Sequence, residues 1–255
     1  MTLEKGPVMI SVIIPARNEE DFLPTTIEAL KAQSYRNYEI IVVANGCHDR
    51  TAEVAREMGC RVFELGDRGL GPARNLGGRD ATGQILMFLD ADTLLPKDAL
   101  KIVAARFRRR HSCGTLWGEP DSRRLSYKLI YTTKNLIHGL HLHCGSSGVI
   151  LCWKDDFLKV GGFDEALYLR ENSHLMKRLL RLGRYCFIAR TLAITSMRRY
   201  ESQGTGEMVR FWLKVWWRSI VSDISNATYE ELEQQASDRR YARARMNESA
   251  RKATI

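Results

Sequence analysis

No stretch of this chain reaches the ~20 consecutive apolar residues that a bilayer-spanning helix needs. The N-terminal run VMISVIIP falls well short of it. The chain does not open on a basic segment followed by an apolar core, so no secretory leader is expected. Six cysteines, at positions 47, 60, 113, 144, 152 and 186, form no CxxC pair and keep no regular spacing. That disfavours a zinc ribbon or a disulfide framework, and reduced thiols in a cytoplasmic protein are expected. No GxGxxG follows the first strand, which disfavours a dinucleotide-dependent oxidoreductase. No helix-turn-helix, zinc or RNA-binding signature accompanies the basic residues, so no nucleic-acid partner is expected.

What remains is ample material for a core. The chain has 255 residues, 44% of them hydrophobic, which suits one domain or one domain with appendages. The formal net charge of +9 is spread along the chain rather than held in one block. Such a balance favours anionic partners, among them nucleotides and acidic membrane surfaces.

Strand and helix signals alternate through the first 110 residues. VMISVII, at 8–14, is the continuous β-branched run of a strand buried on both faces, closed by Pro15. NEEDFLPTTIEALKAQ reads as a helix with Phe22, Leu23, Ile27 and Leu30 on one face and acids in its first turn. YEIIVVANG, RVFEL and QILMFL read as further strands. DRTAEVAREMG reads as a helix with Gly59 at its end, and GPARNLGGRDA as a loop and short helix. Units of about 20–30 residues predict an α/β fold with a mainly parallel central sheet flanked by helices and right-handed crossovers. After residue 110 the rhythm changes. GTLWGE, SGVILCW, YCFIA and TLAITSM are strand candidates, ENSHLMKRLLRLG is a helix, and 121–143 is a mixed polar and aromatic segment.

The fourth strand runs straight into two carboxylates, Asp90 and Asp92. In an open α/β sheet, ligands bind beyond the carboxyl ends of the strands. Two aspartates spaced i and i+2 there can offer oxygens to one hard cation, Mg2+ or Mn2+, shared with a diphosphate. The competing reading is structural: an Asp ahead of TLLPKDAL caps a helix.

Taken in order, VIIPARNEE, VVANGCHDRT, GPARNLGG, LDAD, GGFDE, REN and SMRRY resemble the motifs of inverting family 2 glycosyltransferases, which have the GT-A fold. The resemblance implies a catalytic domain over 1–205, with a nucleotide-binding half to 110 and an acceptor half from 111. A C-terminal helical extension and charged tail follow over 206–255. It further implies metal-assisted transfer of a sugar, with inversion, from a nucleoside-diphosphate sugar to a lipid phosphate, glycan or small molecule. Pro15, Ala16, Arg17 and Glu19 would flank the base and ribose. Arg17 stands where a Tyr is usual, so stacking would use a guanidinium plane. Asn45 stands where an Asp usually reads the base edge, and an amide both accepts and donates there. Arg74 would pair with diphosphate oxygens. Asp90 and Ala91 would lie at the ribose and metal, with Asp92 as the main metal ligand. Arg198 and Arg199 match a basic segment that closes over the diphosphate. As strand neighbours they face opposite ways, so one of the two would reach the ligand.

On the acceptor side, the family's Glu-Asp pair reads Glu171-Asn172 here. An amide cannot take a proton. Either Glu171 is the base, or Asp164 contributes, or the acceptor is already ionised and needs none. A catalytically inactive nucleotide-binding protein of the same fold is the alternative function. His138, His141, His143 and Cys144 cluster without the second pair that zinc sites carry. Met208, Phe211, Trp212, Val215, Trp216 and Ile220 share one helical face over 206–224, flanked by Arg210, Lys214 and Arg218. That helix suits a membrane surface or a protein interface, including a homodimer.

Overall fold

A computed structural model describes residues 6–67, 69–141, 145–167 and 170–204, together with Gly206, Glu207 and Arg210. The body of the Trp-bearing helix, the charged tail, His143 and Cys144 lie outside the described residues. The chain divides into two compact units, Met1–Glu165 with Arg170–Met197, and Ala166–Leu169 with Arg198–Ile255.

The first unit is built on β1 (Ile10–Ala16), α1 (Leu23–Lys31), β2 (Tyr38–Asn45), α2 (Thr51–Glu57), β3 (Arg61–Leu65), α3 (Leu70–Asp80), β4 (Ile85–Leu89) and β5 (Thr93–Leu94). It continues with α4 (Ala99–Arg106), β6 (His111–Pro120), α5 (Leu125–Gly139), β7 (Val149–Trp153), α6 (Lys154–Lys159), α7 (Glu171–Leu179) and β8 (Arg184–Thr195). These strands form one sheet in the order β3-β2-β1-β4-β7-β6-β8-β5. The first four in that order are mutually parallel. β7 enters antiparallel to β4, and β6 antiparallel to β7, so the sheet is mixed from the point where the sequence rhythm changes.

Both faces of the sheet are covered, which is why β1 is buried along its whole length. Ile10, Val12 and Ile14 pack with Leu23, Ile27 and Leu30 of α1 and Leu100 and Val103 of α4. Ile13 points the other way, into the core layer that holds Phe88, Phe157, Phe163 and Leu175. This is the period of two expected of a strand, with apolar residues at both phases. α3 lies unusually close to that second face because Gly77 and Gly78 carry no side chain. A Cβ at Gly77 would sit 2.5 Å from Ile13 Cγ2, and one at Gly78 would sit 2.7 Å from Phe157 Cε1.

Several expectations need correction. Pro15 does not end β1, since Pro15 and Ala16 still pair in register with Val43 and Ala44. A proline loses its N–H but keeps its carbonyl, which a strand tolerates near its end. α1 begins only at Leu23, with Pro24 in its first turn, so residues 19–21 precede the helix and its first turn holds no acid. Phe22 is the cap residue and 39% exposed rather than on the packed face. α3 is a full helix of 11 residues. YCFIA and TLAITSM are parts of one strand, β8, which carries an irregularity where Leu116 and Trp117 meet it. The segment 121–143 holds a helix of 15 residues, α5.

In the second unit Arg198 opens a short helix, α8 (Arg198–Gln203), closed by the Gly204 N–H donating to the Tyr200 carbonyl at 3.0 Å. Arg198 and Arg199 are therefore helical neighbours, and the opposite-face argument made for a strand does not hold.

Candidate active site

Pro15, Ala16, Arg17, Glu19, Asn45, Asp90 and Asp92 lie at or just beyond the carboxyl ends of the parallel strands β1, β2 and β4. Ala16 ends β1, and Arg17 to Glu20 form the loop beyond it, with Asn18 at a left-handed φ of 53°. This loop is bolted to the one that follows β2. The Glu19 N–H donates to Thr51 Oγ1 at 2.8 Å, the Glu20 N–H to Asp49 Oδ2 at 3.1 Å, and the His48 N–H to Asn18 Oδ1 at 2.8 Å. Burial alone would raise the Asp49 pKa, but hydrogen bonds from the Thr51 hydroxyl and N–H and from Glu20 hold it below the ordinary carboxylate value. Asp49 and Thr51 were visible in the sequence only as polar residues at a strand end. Their bracing role depends on a contact 32 residues away.

Arg17 and Asn45 both reach the loop between β3 and α3. Arg17 Nη2 pairs with Asp67 Oδ2 at 2.6 Å, both half-exposed. Asn45, almost fully buried, donates from Nδ2 to the Gly69 carbonyl at 3.0 Å.

Asp90 and Asp92 occupy the turn between β4 and β5. That turn does not start a helix: Thr93 and Leu94 pair antiparallel with Thr195 and Ile194 of β8, and α4 begins only at Ala99. The helix-cap reading is thereby overturned. The backbone is held from three sides, the Asp90 N–H donating to Gly148 O at 3.0 Å, Thr93 N–H to Asp90 O at 3.1 Å, and Ser196 N–H to Asp92 O at 3.2 Å. Gly148 makes the fit possible. Its φ is +77°, and a Cβ there would lie 2.7 Å from Thr93 Oγ1 and 2.9 Å from Thr195 Oγ1.

Arg74 sits at the centre of the site. It projects from the first half of α3, the helix brought close by Gly77 and Gly78, and its side chain is only 4% exposed. Nη1 donates to Glu171 Oε1 at 2.9 Å and to Asn172 Oδ1 at 3.0 Å, while Nη2 donates to Asp90 Oδ1 at 3.3 Å. The guanidinium also lies over the Phe163 ring, 5.3 Å from its centroid. One buried cation thus joins the strand-end carboxylate to the first residues of α7. Asn172 in turn donates from Nδ2 to Ser146 Oγ at 3.2 Å. Phe163 lies in the GGFDE motif, but nothing local marks either it or Ser146 as belonging with Arg74.

Asp164, next to Phe163, has its Oδ2 3.9 Å from His174 Nδ1. Burial, reinforced by Arg178, holds His174 below the ordinary histidine pKa in spite of Asp164. His138 is buried on α5, and His141 lies edge-on to Tyr185 with centroids 5.4 Å apart. Among the described residues, no group of three or more His, Cys, Asp or Glu gathers as a metal site. Asp90 and Asp92 nevertheless form a donor set of the right chemistry for a hard divalent ion. They are two carboxylates two residues apart, and the Asp90 side chain is 45% exposed.

Residues 11–157 match the glycosyl transferase family 2. The chain belongs to that family. Among its relatives, the 4,4'-diaponeurosporenoate glycosyltransferase of Staphylococcus haemolyticus is 40% identical over 119 residues, which are 44% of this chain and 32% of that protein. The amylovoran biosynthesis glycosyltransferase AmsB of Erwinia amylovora is 29% identical over 240 residues, 81% of this chain and 77% of its own. The mannosyltransferase PcManGT of Pyrobaculum calidifontis, solved in complex with GDP-Man and Mn2+, superposes with a TM-score of 0.60 at 17% identity, over 74% of this chain and 57% of that one. This last likeness establishes the GT-A fold. The chain spans about a third of the S. haemolyticus relative.

Proposed function

We propose that this family 2 protein transfers a sugar, with inversion, from a nucleoside-diphosphate sugar to an ionised acceptor oxygen, a phosphate or a carboxylate. The observation that carries the reading is the position of Arg74, buried and bonded at once to Asp90, Glu171 and Asn172. Pro15, Ala16, Arg17, Glu19 and Asn45 are assigned to the nucleoside, with Asn45 bracing the loop after β3 that faces it. Asp90, Ala91 and Asp92 are assigned to the ribose and to Mg2+ or Mn2+. The ion, when bound, supplies positive charge against the diphosphate that leaves. Arg74 supplies a fixed guanidinium on the same side and keeps Asp90 and α7 in place. Arg198 and Arg199 remain candidates for a contact with the diphosphate.

The pairing of Glu171 with Arg74 supports this acceptor class. For a hydroxyl acceptor either Glu171 or Asp164 would have to take a proton, and a protonated Glu171 would lose its ion pair with Arg74. Asn172 beside it cannot serve. With an ionised acceptor, an oxygen lone pair forms the new bond to the anomeric carbon while the bond to the diphosphate breaks and its electron pair leaves with the nucleotide. No proton moves, and Glu171 stays paired.

The test is calorimetric titration of UDP, GDP, CDP and dTDP, each with and without Mn2+. Metal-dependent binding of one diphosphate, lost in Asp92→Ala, is expected. Absence of binding by all four would remove the donor site and the reading with it.

A further inference from the structure

From residue 122 to residue 154 the chain contains no Asp or Glu, while Arg123, Arg124, Lys128, Lys134 and Lys154 fall within that span. α5 lies in the middle of it. Among the described residues the helix is anchored from one side. Tyr127, Tyr131, Asn135 and His138 are its buried residues. Asn135 clasps the Gly118 backbone of β6, donating to the carbonyl at 2.8 Å and accepting from the N–H at 2.9 Å.

The opposite side is apolar and uncovered. Leu125 is 83% exposed, Leu129 68%, Leu136 60% and Leu140, the cap residue, 59%. Positions i, i+4, i+11 and i+15 fall on one face of a 3.6-residue helix. The stripe is about 22 Å long at 1.5 Å per residue. Half of the large apolar side chains exposed among the described residues are on this one helix. Arg123 and Lys128 are exposed at its N-terminal end, and Arg124 lies there too, over the Tyr127 ring at 5.7 Å.

We propose that α5 is a docking face for the surface of an anionic lipid bilayer, with the four leucines immersed at the level of the acyl boundary and the cations against acidic headgroups. Charge decides the occupant. A second copy of this face would bring the same cations and no carboxylate within the segment to answer them, whereas an acidic headgroup answers each one. The contact is one of lying on the surface, since no helix among the described residues is long and apolar enough to cross a membrane.

The experiment is co-sedimentation of the full chain with vesicles of phosphatidylcholine alone and of phosphatidylcholine with a quarter phosphatidylglycerol. It is repeated with Leu129→Gln/Leu136→Gln and with Arg123→Glu/Lys128→Glu. All four side chains are exposed, so an unchanged thermal midpoint shows that the variants fold. The expected result is binding to the anionic vesicles only, reduced at least about tenfold by either double variant, as loss of buried apolar area or of headgroup pairing requires. No binding to anionic vesicles, equal binding to neutral ones, or undiminished binding by the leucine variant overturns the proposal. A wild-type dimer that the leucine variant converts to a monomer, with vesicle binding unchanged, assigns the face to a second copy instead.

Discussion

Arg74 and Glu171 meet at 2.9 Å across 97 residues of sequence, with side chains 4% and 11% exposed. Their contact ties α3 to the start of α7. Removing one member of a buried ion pair leaves the other charge uncompensated, at a cost of about 3–5 kcal/mol. Arg74→Ala should lose stability in that range by urea denaturation. Arg74→Lys should recover only part of it, because a single ammonium cannot reproduce a fork that reaches Glu171, Asn172 and Asp90. In Arg74→Ala/Glu171→Gln the loss should be smaller than in Arg74→Ala alone. A double variant as unstable as the sum of the singles would show that the pair is not coupled.

The strand-end aspartates depend on Gly148. An alanine there must adopt a positive φ, costing about 1–2 kcal/mol, and must also push against Thr93 and Thr195. Gly148→Ala should therefore lower the melting temperature. It should also weaken Mn2+-dependent nucleotide binding, since Gly148 O holds the Asp90 N–H. Adding Thr93→Ala, which clears the nearest atom, should restore part of both. A Gly148→Ala protein with full metal-dependent affinity would separate this turn from the ligand site.

Stability should fall on mild acidification. Burial, followed by the charges of Arg110 and Arg184, holds His111 below the ordinary histidine value, and the Arg108 N–H donates to its Nδ1 at 3.0 Å. His174 is shifted the same way. The unfolded chain takes up these protons near pH 6.5 and the folded chain only below that. The stabilisation is thus full above about pH 6.5 and lost as the pH falls through the folded values. Asp156, whose burial raises its carboxyl, acts in the opposite sense at lower pH. Melting temperatures measured from pH 7.5 to 5 should decline, and His111→Asn should decline less steeply. An identical slope in that variant would exclude His111 as a contributor.

What could be read from the sequence was whatever is written in neighbouring residues. β1 and β4 announce themselves as apolar runs, and Asp90 and Asp92 are conspicuous because they interrupt one. Arg74, Asp90, Glu171 and Asn172 were each legible as candidates, but their pairing was not. Glu171 and Asn172 reach Arg74 only after β7 has entered the sheet antiparallel, and no local pattern encodes that reversal. α5 is illegible in the sequence for a different reason. Its leucines face outward while Tyr127, Tyr131, Asn135 and His138 face the core, so the usual equation of the apolar stripe with the buried side fails. A helix whose polar residues hold it down and whose leucines are spare looks, in one dimension, like a mixed segment.

Asn172 offers the sharpest chemical test. Its Oδ1 accepts from Arg74 and its Nδ2 donates to Ser146, so an aspartate would fit the space while adding a negative charge next to Glu171. With an ionised acceptor, that charge repels the nucleophile, and at an effective dielectric near 20 an interaction over several ångströms is enough for roughly a tenfold loss of transfer or more. With a hydroxyl acceptor the same change would supply a second carboxylate beside Arg74 that can share the proton-accepting role with Glu171, and transfer would rise. Radiolabelled donor, chosen from the nucleotide that binds, should be offered to decyl phosphate, decanoate and decanol by the wild-type chain and by Asn172→Asp. Transfer to one of the two anions, reduced in the variant, is the expected result. Faster transfer to decanol by Asn172→Asp, with no wild-type activity on either anion, would return the proton-transfer step to this position and leave the donor site as described.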